Sequence, residues 1–172
     1  GLANAYNIID GFNGLASMVG IITLLGIAYV GFLFADPTIV YLSLVMAGAI
    51  LGFFIWNYPQ GLIFLGDGGS YFIGFILAWF AVLLIERNHT VSTFAALVIC
   101  VHPVTEVLFS IFRRKLRKEH PGMPDRLHFH SLVKRRYVAR WFSGYSSAVR
   151  NSITGLLIGF MTMPAIILAS LT

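Results

Sequence analysis

Asn4, Asn7, Asp10 and Asn13 recur at every third position near the start of the chain and are followed by Gly14. On a helical or near-helical segment that spacing drifts slowly around one face, so the side-chain oxygens stand together. A second cluster, Phe64-Leu65-Gly66-Asp67-Gly68-Gly69-Ser70, leads directly into an apolar run. The unpaired backbone amides at such a helix start favour phosphate. Two acidic loops make sense together if they share Mg2+, a hard cation that takes one or two carboxylates plus the oxygens of a substrate phosphate. Without a cation the same groups repel an anionic substrate. Plainer readings stand beside this one: Asp10-Gly11 and Asn13-Gly14 are turn dipeptides, and Asp67 is a helix cap. The turn reading leaves Asn4 and Asn7 unexplained. The spacing excludes an EF-hand, and the missing Gly-Lys-Ser/Thr excludes a P-loop. His128-Phe129-His130, preceded by Asp125-Arg126, adds cationic or hydrogen-bonding groups suited to an anion. Zinc is disfavoured there, because no cysteines and no clear third and fourth ligands accompany the pair.

The elements that must position these groups are membrane spans. Of 172 residues 58% are hydrophobic and only 11% charged, which is too apolar for a soluble domain of ordinary composition. Five apolar runs, 15–35, 38–56, 70–86, 91–112 and 152–171, each approach the roughly 20 residues that cross a hydrocarbon core. They lack the alternation of barrel strands, so the expected fold is all-α, a polytopic transmembrane helical bundle. Eleven of the 12 Lys and Arg residues lie between the fourth and fifth runs, which places that loop in the cytoplasm. Counting spans back from it puts the loops 1–14, 57–69 and 113–151 on the same cytoplasmic side. All the polar motifs therefore face one way. The formal charge of +5 is explained by topology and anionic headgroups and does not call for nucleic acid. Cys100 is the single cysteine, and the expected role is core packing.

The fourth run is interrupted by His102, Pro103 and Glu106, and Pro103 is expected to kink it. Glu106 lies roughly 9 Å inside the basic boundary at Phe112, taking 1.5 Å per residue, so it must face protein or water. A buried polar pair with His102 and a place in the site wall are equally open readings. Leu132, Val133, Tyr137, Val138, Trp141 and Phe142, separated by Lys134, Arg135, Arg136 and Arg140, predict an amphipathic helix on the inner membrane face, a lid or anchor beside the motif loops. Gly48-x-x-x-Gly52 and Gly155-x-x-x-Gly159 are small-residue signals expected to serve packing inside the bundle.

Three ordered motifs, Asn4-x-x-Asn7-x-x-Asp10-Gly11-x-Asn13-Gly14-Leu15-Ala16, Phe64-x-Gly66-Asp67-x-Gly69-Ser70 and Pro124-Asp125-Arg126-x-His128-x-His130, resemble those of the polyprenyl-phosphate N-acetylhexosamine-1-phosphate transferases, glycosyltransferase family 4. The resemblance covers the whole chain. It implies a bacterial inner-membrane enzyme that moves a sugar-1-phosphate from a UDP-N-acetylamino sugar to polyprenyl phosphate, releases UMP and starts O-antigen or cell-envelope polysaccharide synthesis. Residue by residue, it implies Asp67 as a ligand of Mg2+, with Mn2+ as the alternative ion, and Asn7 as a metal or diphosphate partner. Asp10 becomes an essential carboxylate. Phe64 matches the position that stacks on the nucleobase, and Asn57 a uracil contact. Asn4, Asn13, Gly66, Ser70, Arg126, His128 and His130 complete the implied substrate contacts.

The family has about twice as many spans and an aspartate pair in its N-terminal half. The chain therefore reads as a C-terminal half, expected to be inactive alone and to need the N-terminal half as its partner, with homodimer formation left open. Asn13 stands where many members carry a second aspartate and Ser131 where many carry a third histidine. The Pro-Asp-Arg-x-His-x-His form is closer to the surface-polysaccharide branch than to the muramoyl-pentapeptide branch. A transporter shares the broken helix and the intramembrane Glu106, but it is expected to hold its carboxylates at mid-span rather than at span ends. A catalytically inactive lipid-binding or assembly subunit is the third reading.

Overall fold

The computed structural model describes residues 1–117 and 128–169, and the described residues form helices and connecting turns without strands. In chain order the helices are α1 (Leu2–Ile9), α2 (Leu15–Leu33), α3 (Pro37–Asn57), α4 (Gly66–Arg87), α5 (Thr93–Ile99) and α6 (Val101–Leu116). They continue with α7 (Phe129–Val133), a π-helical turn (Lys134–Val138), α8 (Ala139–Trp141), α9 (Ser147–Phe160) and α10 (Met163–Ala169). Four stretches are long and apolar enough to cross a bilayer: α2, α3, α4 and the 23-residue run Ser147–Ala169 that joins α9 to α10. The pair α5 and α6 supplies a fifth, bent by 74°. The protein is an all-α, multi-pass membrane bundle.

Two expected boundaries are corrected. Residues 1–14 are not all loop, because Leu2–Ile9 is helical and buries Ala5, Tyr6 and Ile9 against α4 and α6. The asparagines of α1 occupy the helix's other positions. The fifth span starts at Ser147 rather than 152, since the Ser146 hydroxyl accepts from Val149 N–H and caps the helix earlier. In the fourth span the chain breaks at Cys100, three residues before Pro103. The ring of Pro103 clashes with the backbone one turn upstream, so the bend falls where the ring acts.

The central helix is α2, packed against α3, α4 and α9. Buried positions make up 72% of its apolar window, against 22% for α3, which lines the outside of the bundle. That difference corrects one packing expectation. A Cβ at Gly48 or Gly52 would meet nothing within 4 Å, so among the described residues the α3 pair packs against no other helix. The α9 pair does: a Cβ at Gly155 would sit 2.3 Å from the Asn13 carbonyl oxygen, and one at Gly159 2.6 Å from Met18 Sδ. Close backbone approach of this kind needs glycine.

The two ends of the bundle differ in chemistry. At one end Asp36 caps α3 by accepting from the Thr38 and Ile39 N–H groups, takes Nε of Arg87 at 2.8 Å and an outer guanidinium nitrogen at 3.1 Å, and accepts from Asn88 Nδ2. This clamp joins the two turns at that end, and the Arg87 side chain holds the Asp36 carboxyl down at about 2. The other end carries the first two motif segments together with His128 and His130 of the third.

Candidate active site

At the motif end, α4 begins at Gly66, whose φ of +62° is a backbone conformation that suits glycine. Asp10, the residue after α1, turns its carboxylate onto this start: Oδ2 accepts from Gly66 N–H at 3.1 Å. One turn earlier in α1, Asn7 reaches the same helix. Its Nδ2 donates to the Tyr71 hydroxyl at 3.2 Å, and its Oδ1 lies 3.1 Å from Ser70 Oγ, which itself donates to the Gly66 carbonyl at 2.6 Å. Asp67 is exposed in the first turn of α4, and Phe64 just before it is 52% exposed. The structure thus brings Asn7, Asp10, Gly66, Asp67 and Ser70 around one helix start. Asn4 is exposed one further turn up α1, beside Val104, Val107 and Leu108 of α6.

Asp10 is only half open to solvent, and burial pushes its carboxyl up to about 6 against the opposing pull of the Gly66 and Leu65 N–H groups. Two carboxylates and an amide oxygen around a helix start form a hard-oxygen donor set. Among the described residues, no three His, Cys, Asp or Glu side chains gather to hold a metal ion, here or at any other place, so the protein's own donors are few. Oxygen donors of this kind fit Mg2+, which keeps open positions for phosphate oxygens.

Asn13 and Asn57 have a different place from the expected one. They are 3% and 2% exposed, beneath the 58–65 loop, with their amides spent on its framework. Asn13 Nδ2 donates to the Pro59 carbonyl at 2.9 Å and lies 3.2 Å from Ser152 Oγ on α9. Asn57 Oδ1 accepts from Gly14 N–H, and its Nδ2 donates to the Ile63 carbonyl at 2.7 Å. Ser152 also donates to Pro59 O. These three side chains pin the loop that carries Phe64 to the starts of α2 and α9, a positioning role. Nothing in the local sequence around Ser152 marks it. It becomes visible only when α9 packs against Asn13.

The histidine segment lies beside the same end, tied to Asp10 through Phe12. The Phe12 ring meets His130 edge-on, with centroids 5.0 Å apart, and Lys134 Nζ sits 5.4 Å above the Phe12 ring. Lys134 also donates to Asn151 Oδ1. Burial, with Arg150 and Arg135 nearby, pulls the Lys134 ammonium below its ordinary range. His130 is 3% exposed, while His128 is half-buried and stacks on it with centroids 5.3 Å apart. Arg126 and the turn at 119–124 lie outside the described residues. The amphipathic stretch is helical but broken into α7, the π turn and α8, with Val133 and Val138 buried and Tyr137 and Trp141 exposed. Glu106 pairs with His130 rather than with His102.

The bundle and its motif end define a class: a membrane-embedded protein whose acidic, amide and histidine segments converge at one end around an anion-favouring helix start. The profile of glycosyl transferase family 4 matches residues 1–85. A probable undecaprenyl-phosphate N-acetylglucosaminyl 1-phosphate transferase of Bacillus subtilis is 34% identical over 175 residues, covering 100% of this chain and 46% of the relative. An undecaprenyl-phosphate alpha-N-acetylglucosaminyl 1-phosphate transferase of Thermotoga maritima is 32% identical over 82% of this chain and 42% of its own length. A phospho-N-acetylmuramoyl-pentapeptide-transferase of Streptococcus thermophilus is 37% identical over 49% of this chain and 25% of its own length. The chain belongs to glycosyl transferase family 4, and it spans less than half the length of each of these relatives.

Proposed function

We propose that the chain forms the catalytic end of an enzyme that transfers N-acetylhexosamine-1-phosphate from a UDP-sugar to undecaprenyl phosphate, releases UMP and initiates surface-polysaccharide synthesis at the cytoplasmic face of a bacterial inner membrane. The observation that carries this reading is the Asp10 carboxylate bound to Gly66 N–H, next to exposed Asp67 at the start of α4. Relatives with N-acetylglucosamine names match 75% to 100% of the chain, whereas the muramoyl-pentapeptide relative matches 49%, which favours the former substrate class.

In the reaction an oxygen of the lipid phosphate forms a bond to the sugar-linked phosphorus, the bond from that phosphorus to the bridging pyrophosphate oxygen breaks, and UMP leaves carrying the former bridging oxygen. Both reactants are anions, so positioning and charge neutralisation supply most of the rate. Asp67, Asn7 and Asp10 are the groups that would hold Mg2+ or Mn2+, and the bound ion supplies charge neutralisation across the pyrophosphate. Phe64 presents an open ring for the uracil. His128 and Lys134 lie beside Phe12, two residues after Asp10, and would supply hydrogen-bonding and cationic groups to the anions. No protein nucleophile is required.

The 74° break in the fourth span is the feature shared with carriers. Glu106, however, is spent on the histidine segment, and the carboxylates Asp10 and Asp67 stand at the helix mouth. The test uses the complete protein with its N-terminal half. UMP release is expected only when polyprenyl phosphate and the divalent cation are both present. Transport of the nucleotide sugar without UMP release would support the carrier, and neither activity would support the inactive subunit.

A further inference from the structure

Glu106 stands in α6, within the span, and is 1% exposed. A carboxylate at such a position is costly unless its oxygens are satisfied. They are satisfied from a segment far along the chain. Oε2 accepts from Phe129 N–H at 3.0 Å, Oε1 accepts from His130 N–H at 3.2 Å, and Oε1 lies 3.1 Å from His130 Nδ1. Backbone N–H groups at both oxygens favour the ionised carboxylate, and an ionised Oε1 at 3.1 Å calls for a donor on the ring nitrogen that faces it. It follows that His130 Nδ1 carries a proton and that Nε2 points away from Glu106.

His130 is itself enclosed, with the Phe12 edge against its ring, so it does not reach substrate in this arrangement. His128 stacks on the same ring at 5.3 Å and 20°. The backbone of 129–130 and the ring beneath His128 are thus both held by one carboxylate. We infer that Glu106 is a positioning residue for the histidine motif: it fixes His130 as a platform, and the platform orients His128 as the imidazole that meets the substrate. The motif's two histidines therefore have separate tasks. The role of His128 rests on the proposed transferase reading; the Glu106–His130 pairing does not.

Two measurements test the inference. Solid-state 15N spectra of the histidine-labelled complete protein in lipid, with His130 assigned by its loss in His130→Gln, are expected to show protonated Nδ1. A neutral ring protonated on Nε2 would overturn the pairing. The second is a double-mutant cycle in UMP release. Glu106→Gln keeps the volume but opposes its amide to the three donors, and it is expected to lower kcat roughly tenfold to hundredfold, by analogy with other orienting partners, with KM for the UDP-sugar little changed. His128→Gln is expected to cost a similar factor, and the double variant no more than the worse single one. Independent, multiplying losses would overturn the positioning role. If Glu106→Gln fails to fold, the 15N spectrum of the wild type still decides the pairing. If wild-type protein releases no UMP, the transferase reading fails while the spectrum still reports on Glu106.

Discussion

Asp10 carries two opposed demands on one side chain. Burial raises its carboxyl to about 6, so between the ordinary value near 4 and about 6 the folded protein prefers the protonated form. Its contribution to stability is therefore fully present at low pH and lost as pH rises through about 6. The proposed reaction would need the opposite form, since only the ionised group can draw a cation. We predict that kcat/KM rises with pH through a limb near 6, and that Asp10→Asn abolishes turnover while leaving the melting temperature at pH 7.5 equal or higher. A pH profile and a thermal melt check the two halves. Asp36 at the far end has the reverse sign: its carboxyl is lowered to about 2, so its contribution is present above about 4 and lost as pH falls towards 2. Asp36→Ala removes the cap of α3 and is expected to cost about 1 kcal/mol or more by thermal or denaturant unfolding, without effect on substrate affinity.

The elements were unequally legible. Long apolar runs announce themselves by length, so α2, α3 and α4 match their expected ranges to within a few residues. The eight residues of α1 are too short to be read as a span. Their helical form is decided by the burial of Tyr6 and Ile9 against α4 and α6, which no local pattern encodes. That Asp10 and Asp67 stand at one end of the bundle was legible because carboxylates are kept to the ends of apolar runs, and the structure sets both at the start of α4. Asn13 was singled out by its spacing and Asn57 by the resemblance, and only packing reveals that both are buried and hydrogen-bonded to the 58–65 loop. The two glycine pairs make the same point. Each has the same spacing, yet Gly155 abuts the Asn13 carbonyl and Gly48 faces open space. We predict that Gly155→Ala forces α9 away from the Asn13 loop, lowering both the melting temperature and UMP release, whereas Gly48→Ala changes neither beyond error.

At the scale of the molecule, the bundle separates a clamp at one end from chemistry at the other, with exposed Tyr41, Val45, Ile55, Phe72 and Phe75 on the spans between them. Such a surface suits hydrocarbon, and in the proposed transferase it would leave the motif end open to a lipid phosphate from the side and to a nucleotide sugar from water. The central claim is that separated segments converge on the start of α4 to hold one divalent ion against a pyrophosphate. Electron paramagnetic resonance of Mn2+ bound to the complete protein, with UDP-sugar carrying 17O in its phosphates, tests it most directly. We expect one Mn2+ per protein, a line broadened by the 17O label, and loss of that signal in Asp67→Asn. Unchanged Mn2+ binding and broadening in Asp67→Asn would contradict the account.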